Sequence, residues 1–260
     1  MDLKYLKHLA KKGSTFIHPK GIEATELLIS KLNIQPTDNI LEIGCGTGGT
    51  LIEIISRYNI KVTAVEVLDE MIVGTEERLK SLKLTRKAEI INVRPGEKYP
   101  FENNSFDKIY AESVLGFQDK QGMEFMFCEV KRLLKRDGIF VLNDALWKPG
   151  VPDNIVNKIT LQAHKDFGLA HASPSNIDFD RFTRIAKNCG LNLTEAVNLD
   201  TSLGTEYIPK SEHKVEFAKY GRSLSLVNLA NGLKYRLKLK KHSAFSNYIT
   251  SYFIYFNVPY

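Results

Sequence analysis

The 260-residue chain has only three cysteines, Cys45, Cys128 and Cys189, and they stand far apart in sequence. None has metal-ligand spacing. An odd count suits a reducing compartment, the cytoplasm, better than a disulfide framework. Also missing is any apolar run approaching the roughly 18–20 residues that cross a bilayer, so no membrane span is expected. Residues 1–16, MDLKYLKHLAKKGSTF, lack the unbroken apolar stretch of a secretory signal. Internal repeats and low-complexity segments are absent. So is a strong charge imbalance: 36 lysines and arginines against 30 acids leave +6, and the basic residues are scattered. The densest basic cluster, residues 234–241, reads as a solvated helix face. Nucleic-acid binding is permitted by charge but indicated by nothing.

The remaining composition, 43% apolar and 25% charged, is that of an ordinary soluble globular protein. The length allows one large domain, or one domain with an insertion. Leu3, Leu6, Leu9 and Ala10 fall at helical spacing between lysines and predict a short amphipathic helix, either a surface helix or a lid. Helices are expected over residues 18–32, 49–58, 69–82 and 120–134. Strands are expected over 40–43, 61–65, 88–93, 106–111 and 139–142, with turns at 36–39 and at Asp137-Gly138. Strands alternating with helices at this spacing imply parallel βαβ units, right-handed crossovers and helices on both faces. Beyond Asp144 the alternation breaks. Residues 148–188 read as helical and irregular, 192–198 as a sixth strand, 203–246 as mostly helical and 252–258 as a final strand.

The most informative segment is ILEIGCGTGG, residues 40–49. A strand that ends in glycines and turns into a helix makes a cradle. Glycine lets a ligand approach the backbone, and the unpaired N–H groups of the helix start suit a carboxylate or phosphate. Gly44-x-Gly46-x-x-Gly49 also fits the dinucleotide fingerprint, so the glycines alone do not choose a cofactor. Their surroundings do. Glu42 stands two residues before the first glycine, where it can receive the ammonium of an amino-acid cofactor. Glu66 ends the second strand, where an acid can accept hydrogen bonds from both hydroxyls of a ribose.

ILEIGCGTGG, VTAVEVLDEMI, YPFENNSFDKIYAESVL and VKRLLKRDGIFVLND resemble, in order, the main blocks of class I S-adenosylmethionine-dependent methyltransferases. The branch is that of ubiquinone/menaquinone and sterol methyltransferases. The stretch HPKGIEAT, residues 18–25, is similar to the helix start of many of its members. The resemblance covers residues 16–145. It implies a Rossmann-like, seven-stranded, mostly parallel sheet with the last strand antiparallel and helical cap insertions. It also implies that Glu42, Gly44, Cys45, Gly46 and Gly48 hold the methionine end of S-adenosyl-L-methionine, and that Glu66 holds the ribose. Val67 and Met71 would flank the adenine, Gly96 and Glu97 would lie at its edge, and Glu112 and Ser113 would face the methyl group. Pro95 stands where the family often has an acid after the third strand. Glu97 or a backbone carbonyl is then left to meet the adenine amino group.

The expected chemistry is in-line methyl transfer to a small molecule, sped by alignment and exclusion of water. A general base is needed mainly when the acceptor is protonated. Glu112 and His171 are the candidate catalytic residues. His18, Ser113, His164 and His171 are candidates to touch the acceptor. Each has a simpler reading: Glu112 as a cofactor ligand only, the histidines as packing or surface residues. The expected layout is one domain. Residues 1–35 form an N-terminal helical lid, 36–147 the cofactor core, 148–188 and 203–246 a cap, and 252–258 the last strand. The expected partner is a small-molecule methyl acceptor, with no nucleic acid, no metal and no membrane span, and a homodimer is compatible. The alternatives are an RNA or protein methyltransferase, a cofactor-binding module without catalysis, and a nicotinamide dehydrogenase. Asn257-Val258-Pro259-Tyr260 imitates the Asn-Pro-Pro-Tyr motif of amino-group methyltransferases, but that motif belongs after the fourth strand. Arsenite methylation would need a set of thiols that the cysteines do not supply.

Overall fold

The computed structural model describes residues 4–12, 14, 18, 20–202 and 226–258. Seven strands form one sheet: β1 (Ile40–Ile43), β2 (Val62–Glu66), β3 (Ala88–Asn92), β4 (Phe106–Glu112), β5 (Leu134–Trp147), β6 (Asn192–Asn198) and β7 (Ile249–Asn257). Their spatial order is β3-β2-β1-β4-β5-β7-β6. The pairs among β3, β2, β1, β4 and β5 are parallel, and β7 runs antiparallel to both β5 and β6. All four residues of β1 are buried, as expected for a central parallel strand covered on both faces.

The helices are α1 (Lys4–Lys12), α2 (Gly21–Leu32), α3 (Gly49–Tyr58), α4 (Asp69–Ser81), α5 (Lys120–Leu133), α6 (Asp153–Phe167), α7 (Phe179–Asn188), the short α8 (Leu199–Ser202) and α9 (Leu226–His242). Strand alternation sorts the core into two layers. Ile109, Ala111, Ile254 and Phe256 face one layer, with Phe127 of α5 and Phe182 of α7. Tyr110, Phe253 and Tyr255 face the other, with Leu28 of α2, Leu51 and Ile55 of α3 and Leu79 of α4. In the second layer Arg57 of α3 donates to both carboxylate oxygens of Glu26 on α2, at 2.7 and 2.5 Å.

The stretch 148–188 divides. Helix α7 covers the sheet beside α5, with Phe182, Ile185 and Ala186 in the first core layer. Val156 and Ile159 of α6 instead pack with Ala145, Trp147, Val151 and Ala172 in a third, smaller cluster. The stretch 203–225 lies outside the described residues.

Three elements depart by more than one residue from the bounds read in the sequence. Helix α2 starts at Gly21 rather than residue 18, because Lys20 is left-handed (φ 62) and cannot continue a right-handed helix. The fifth strand, expected over 139–142, extends from Leu134 to Trp147. The expected turn persists inside it: Asp137 is left-handed (φ 65), and the register with β4 jumps between Phe106↔Leu134 and Lys108↔Ile139. The strand then continues through Asn143 and Asp144 because β7 pairs with it as far as Trp147↔Ile249. The last strand starts at Ile249, three residues before its expected start. Cys128 and Cys189, remote in sequence, meet where α5 packs on α7, with Sγ atoms 2.6 Å apart. Burial pushes the Cys189 thiol up to about 12.

Candidate active site

From β1 the chain proceeds outward to β2 and β3, then returns to β4 on the other side of β1. The carboxyl ends of β1 and β4 therefore frame the switch point where such sheets bind ligands. A cavity of about 420 Å³ opens there. It is lined by Glu42, Gly44, Cys45 and Gly46 from β1 and its loop, and by Glu66, Val67 and Met71 from β2 and α4. Glu112 and Ser113 line it from the end of β4, and His18 and Leu6 from the N-terminal segment.

The glycine loop owes its shape to close packing. A Cβ on Gly44 would stand 2.8 Å from Val114 Cγ1, and one on Gly48 would stand 2.6 Å from Thr75 Cγ2; both residues have φ near the left-handed region, 77 and 76. The loop delivers the start of α3 to the cavity, where no side chain caps it and Gly49 and Thr50 line the wall. Glu66 ties the loop to β2. One carboxylate oxygen accepts from Gly46 N at 2.8 Å, the other from Val67 N and Leu68 N at 2.7 and 3.0 Å. Burial raises its pKa against the pull of those three amides. Glu42 is more extreme. It is buried, Oε2 has no hydrogen-bond partner, and burial and the Glu112 carboxylate push its pKa well up. A buried carboxylate oxygen without a partner beside a cavity is costly unless a donor arrives from the ligand side.

Glu112 sits in a ring of side chains. Thr50 Oγ1 donates to its Oε2 at 2.5 Å, and Asn143 Nδ2 donates to its Oε1 at 2.9 Å. Asn143 Nδ2 also meets His18 Nδ1 at 3.2 Å, His18 Nε2 meets Thr25 Oγ1 at 3.1 Å, and Thr25 and Thr50 hydroxyls are 3.3 Å apart. With Asn143 as donor, His18 presents a bare Nδ1 and donates from Nε2, so the ring closes with consistent hydrogens. Ser113 follows in a left-handed conformation (φ 56), rare for a residue with a Cβ, and donates its N–H to Asn143 O at 2.9 Å. Asp144, fully buried, accepts from Leu115 N and Ala145 N, both at 2.8 Å, and so holds the turn after β4; burial pushes its pKa up to about 7.

The N-terminal segment closes over this floor. Thr47 Oγ1 donates to Ser14 O at 2.6 Å, and Arg78 reaches both Thr47 O and Ser14 O. On α1, Leu6 is buried against the cavity and Lys7 pairs with Glu70 of α4. The Tyr5 ring packs tilted against Phe167 and Tyr235 with centroids 5.0 and 4.8 Å apart, and His8 against Tyr235 at 5.1 Å.

Of the residues singled out in the sequence, Glu42, Gly44, Cys45, Gly46, Glu66, Val67, Met71, Glu112, Ser113 and His18 come together around one cavity. Gly48 shapes the loop but does not line it. On the far side Val93 and Pro95 line the wall, whereas Gly96 and Glu97 are exposed and Glu97 pairs with Arg94 at 3.6 Å. His164 and His171 do not line the cavity either. His171 Nε2 lies 2.7 Å from His242 Nδ1, whose Nε2 lies 2.9 Å from Asp166 Oδ2. Burial and His242 lower the His171 pKa to about 4. Sequence reading missed Thr50, Asn143 and Asp144. The polar pair Asn143-Asp144 inside an apolar strand was the available signal. Among the described residues, no group of three or more His, Cys, Asp or Glu is arranged to hold a metal.

A mainly parallel seven-stranded sheet with an acid-lined cavity at the β1/β4 switch point is a Rossmann-like arrangement. Residues 40–138 match the family described as methyltransferase domain. It is 28% identical over 141 residues to phosphoethanolamine N-methyltransferase 1 of Arabidopsis thaliana, a match covering 54% of this chain and 28% of that one. It is 26% identical over 174 residues to sterol 24-C-methyltransferase ERG6 of Saccharomyces cerevisiae, covering 66% and 44%. The chain thus spans less than half the length of either relative. Phospholethanolamine N-methyltransferase 2 of Haemonchus contortus, solved with phosphomonomethylethanolamine and S-adenosylhomocysteine, superposes with a TM-score of 0.71 at 19% identity, covering 98% of this chain and 57% of that one. No helix among the described residues is long and apolar enough to cross a membrane.

Proposed function

We propose that the protein is an S-adenosylmethionine-dependent methyltransferase acting on a small-molecule acceptor in the cytoplasm. The observation that carries this reading is the buried Oε2 of Glu42, which has no hydrogen-bond partner, beside the glycine loop. A buried acid with one oxygen open to a donor fits the ammonium of an amino-acid cofactor, a group that a dinucleotide does not carry. S-adenosylmethionine supplies a sulfonium whose methyl group is open to in-line displacement. In this reading Glu42 takes the ammonium and the start of α3 faces the carboxylate. Glu66 takes the ribose hydroxyls, and Val67 and Met71 flank the base with Val93 and Pro95. Glu112 and Ser113 stand at the acceptor side. The hydrogen-bond ring fixes the Glu112 carboxylate in place, as an oriented acceptor for a proton or a donor group of the substrate. His18 belongs to that ring. His171 supports the wall through its neighbours: Ala170 N donates to Gly116 O, and Ser173 Oγ to Gln118 O. Helix α1 serves as a lid that excludes water.

The test is calorimetric titration with S-adenosylmethionine, S-adenosylhomocysteine and NAD, followed by turnover of methyl-labelled cofactor in metabolite extract. The first two ligands bind and NAD does not. Glu66→Ala weakens cofactor binding by about 1.5–3 kcal/mol through loss of charged hydrogen bonds. Unchanged affinity in that variant would reject the ribose role. Labelling of RNA or protein with none in the small-molecule fraction would reject the acceptor class.

A further inference from the structure

Helix α9 presents two different faces. Inward, Tyr235 packs tilted against Tyr5 and His8 of α1, Lys238 Nζ pairs with Asp166 Oδ1 at 2.8 Å, and His242 lies between His171 and Asp166. Positions 235, 238 and 242 fall on one stripe at helical spacing. Outward, Leu233 and Leu237, four residues apart, stand 61% and 62% exposed. The cations are placed symmetrically about them. Arg236 and Lys240 run along one flank of the leucine stripe, Lys234 and Lys241 along the other, and all four are exposed. No acid occurs anywhere in α9.

We infer that this face of α9 is a docking surface for an anionic lipid bilayer, on which the protein sits peripherally. Exposed leucines at the centre of a basic stripe match an interfacial helix. The apolar side chains enter the boundary between headgroups and acyl chains, while lysine and arginine stems run along the apolar surface and hold their charges at the headgroups. A nucleic acid would use the cations but gains nothing from two water-exposed leucines between them. A second copy meeting the same face about a two-fold axis would set four cations against four. The surface lies one element away from the cavity: the helix that sits on lipid holds α1 on its inner side, and Leu6 of α1 lines the cavity.

The experiment is flotation of the full chain with vesicles of phosphatidylcholine alone and of phosphatidylcholine mixed with phosphatidylglycerol. The protein floats with the mixed vesicles, not with phosphatidylcholine alone, and added salt releases it. Lys240→Glu/Lys241→Glu lowers partitioning at least about tenfold. Leu233→Gln/Leu237→Gln lowers it by a similar factor. Both variants are compared at unchanged thermal melting, so that loss of fold does not imitate loss of binding. If a variant melts early, the single changes Lys241→Gln and Leu237→Gln replace it. Absence of flotation, equal binding to both vesicle types, or full binding by the leucine variant overturns the inference. So does a gel shift of short RNA abolished by the lysine changes alone, or a dimer abolished by the leucine changes.

Discussion

Glu42, Glu66 and Asp144 are carboxylic acids taken out of water around one site, and burial moves all three pKa values upward. For Asp144 the consequence for stability has a definite sign. Below about pH 4 the group is protonated in both the folded and unfolded chain and contributes nothing. Between about 4 and about 7 the unfolded chain has released its proton while the folded protein keeps it, so stability falls as pH rises, by up to about 1.4 kcal/mol per pH unit. Above about 7 the penalty is complete. Asp144→Asn removes the titration but also removes one acceptor from the amides of Leu115 and Ala145. Urea unfolding at pH 5 and pH 8 is predicted to show the variant gaining on the parent at pH 8. An identical difference at both pH values would contradict that. At this scale Glu42, Glu66 and Glu112 were legible in the sequence, since each stands at a strand end next to a recognisable block. Their partners were not. Thr50, Asn143 and His18 reach Glu112 from 62, 31 and 94 residues away, distances at which no local pattern operates.

Among the elements, β5 is where local and tertiary signals diverge most. Asn143 and Asp144 interrupt an apolar run and read as its end. The strand continues because Asn143 spends its amide on Glu112 and His18 while Asp144 satisfies two backbone amides. A polar residue can stay inside a central strand when its hydrogen bonds are met. Helix α7 gives the complementary case. Sequence placed it within a cap, but Phe182 packs on Phe127 of α5 at 5.1 Å and on Phe256 of β7 at 6.0 Å, beneath the sheet. Phe182→Ala is therefore predicted to cost about 3–5 kcal/mol of stability, read by chemical unfolding, while cofactor affinity stays unchanged. A change in affinity without loss of stability would place α7 at the site instead. The helices α3, α4 and α5 were legible almost to the residue, because amphipathic spacing and the glycine loop mark them without tertiary help.

Over the whole molecule, a chain of net charge +6 buries Glu42, Glu66 and Glu112 around the β1/β4 switch point. The N-terminal segment is anchored at three separate places around it: the glycine loop through Ser14, α4 through Lys7, and the α6–α9 pair through Tyr5 and His8. Deleting residues 1–14 is predicted to leave the sheet folded and to speed cofactor dissociation about tenfold, a loss of about 1.4 kcal/mol. Unchanged dissociation in stopped flow would show that α1 is not a lid. The central claim is that the Glu42 carboxylate, whose Oε2 has no partner within the chain, is the socket for a cationic cofactor. Calorimetric titration of S-adenosylmethionine into the parent and Glu42→Gln, at pH 6 and pH 8, tests it most directly. The account predicts that binding by the parent strengthens as pH rises and releases protons, because burial raises the pKa of the free carboxyl and the ammonium lowers it again. It predicts binding weaker by about 1.5–3 kcal/mol in Glu42→Gln and far less pH-dependent. Equal affinity in the two proteins, with the same pH dependence, would contradict it.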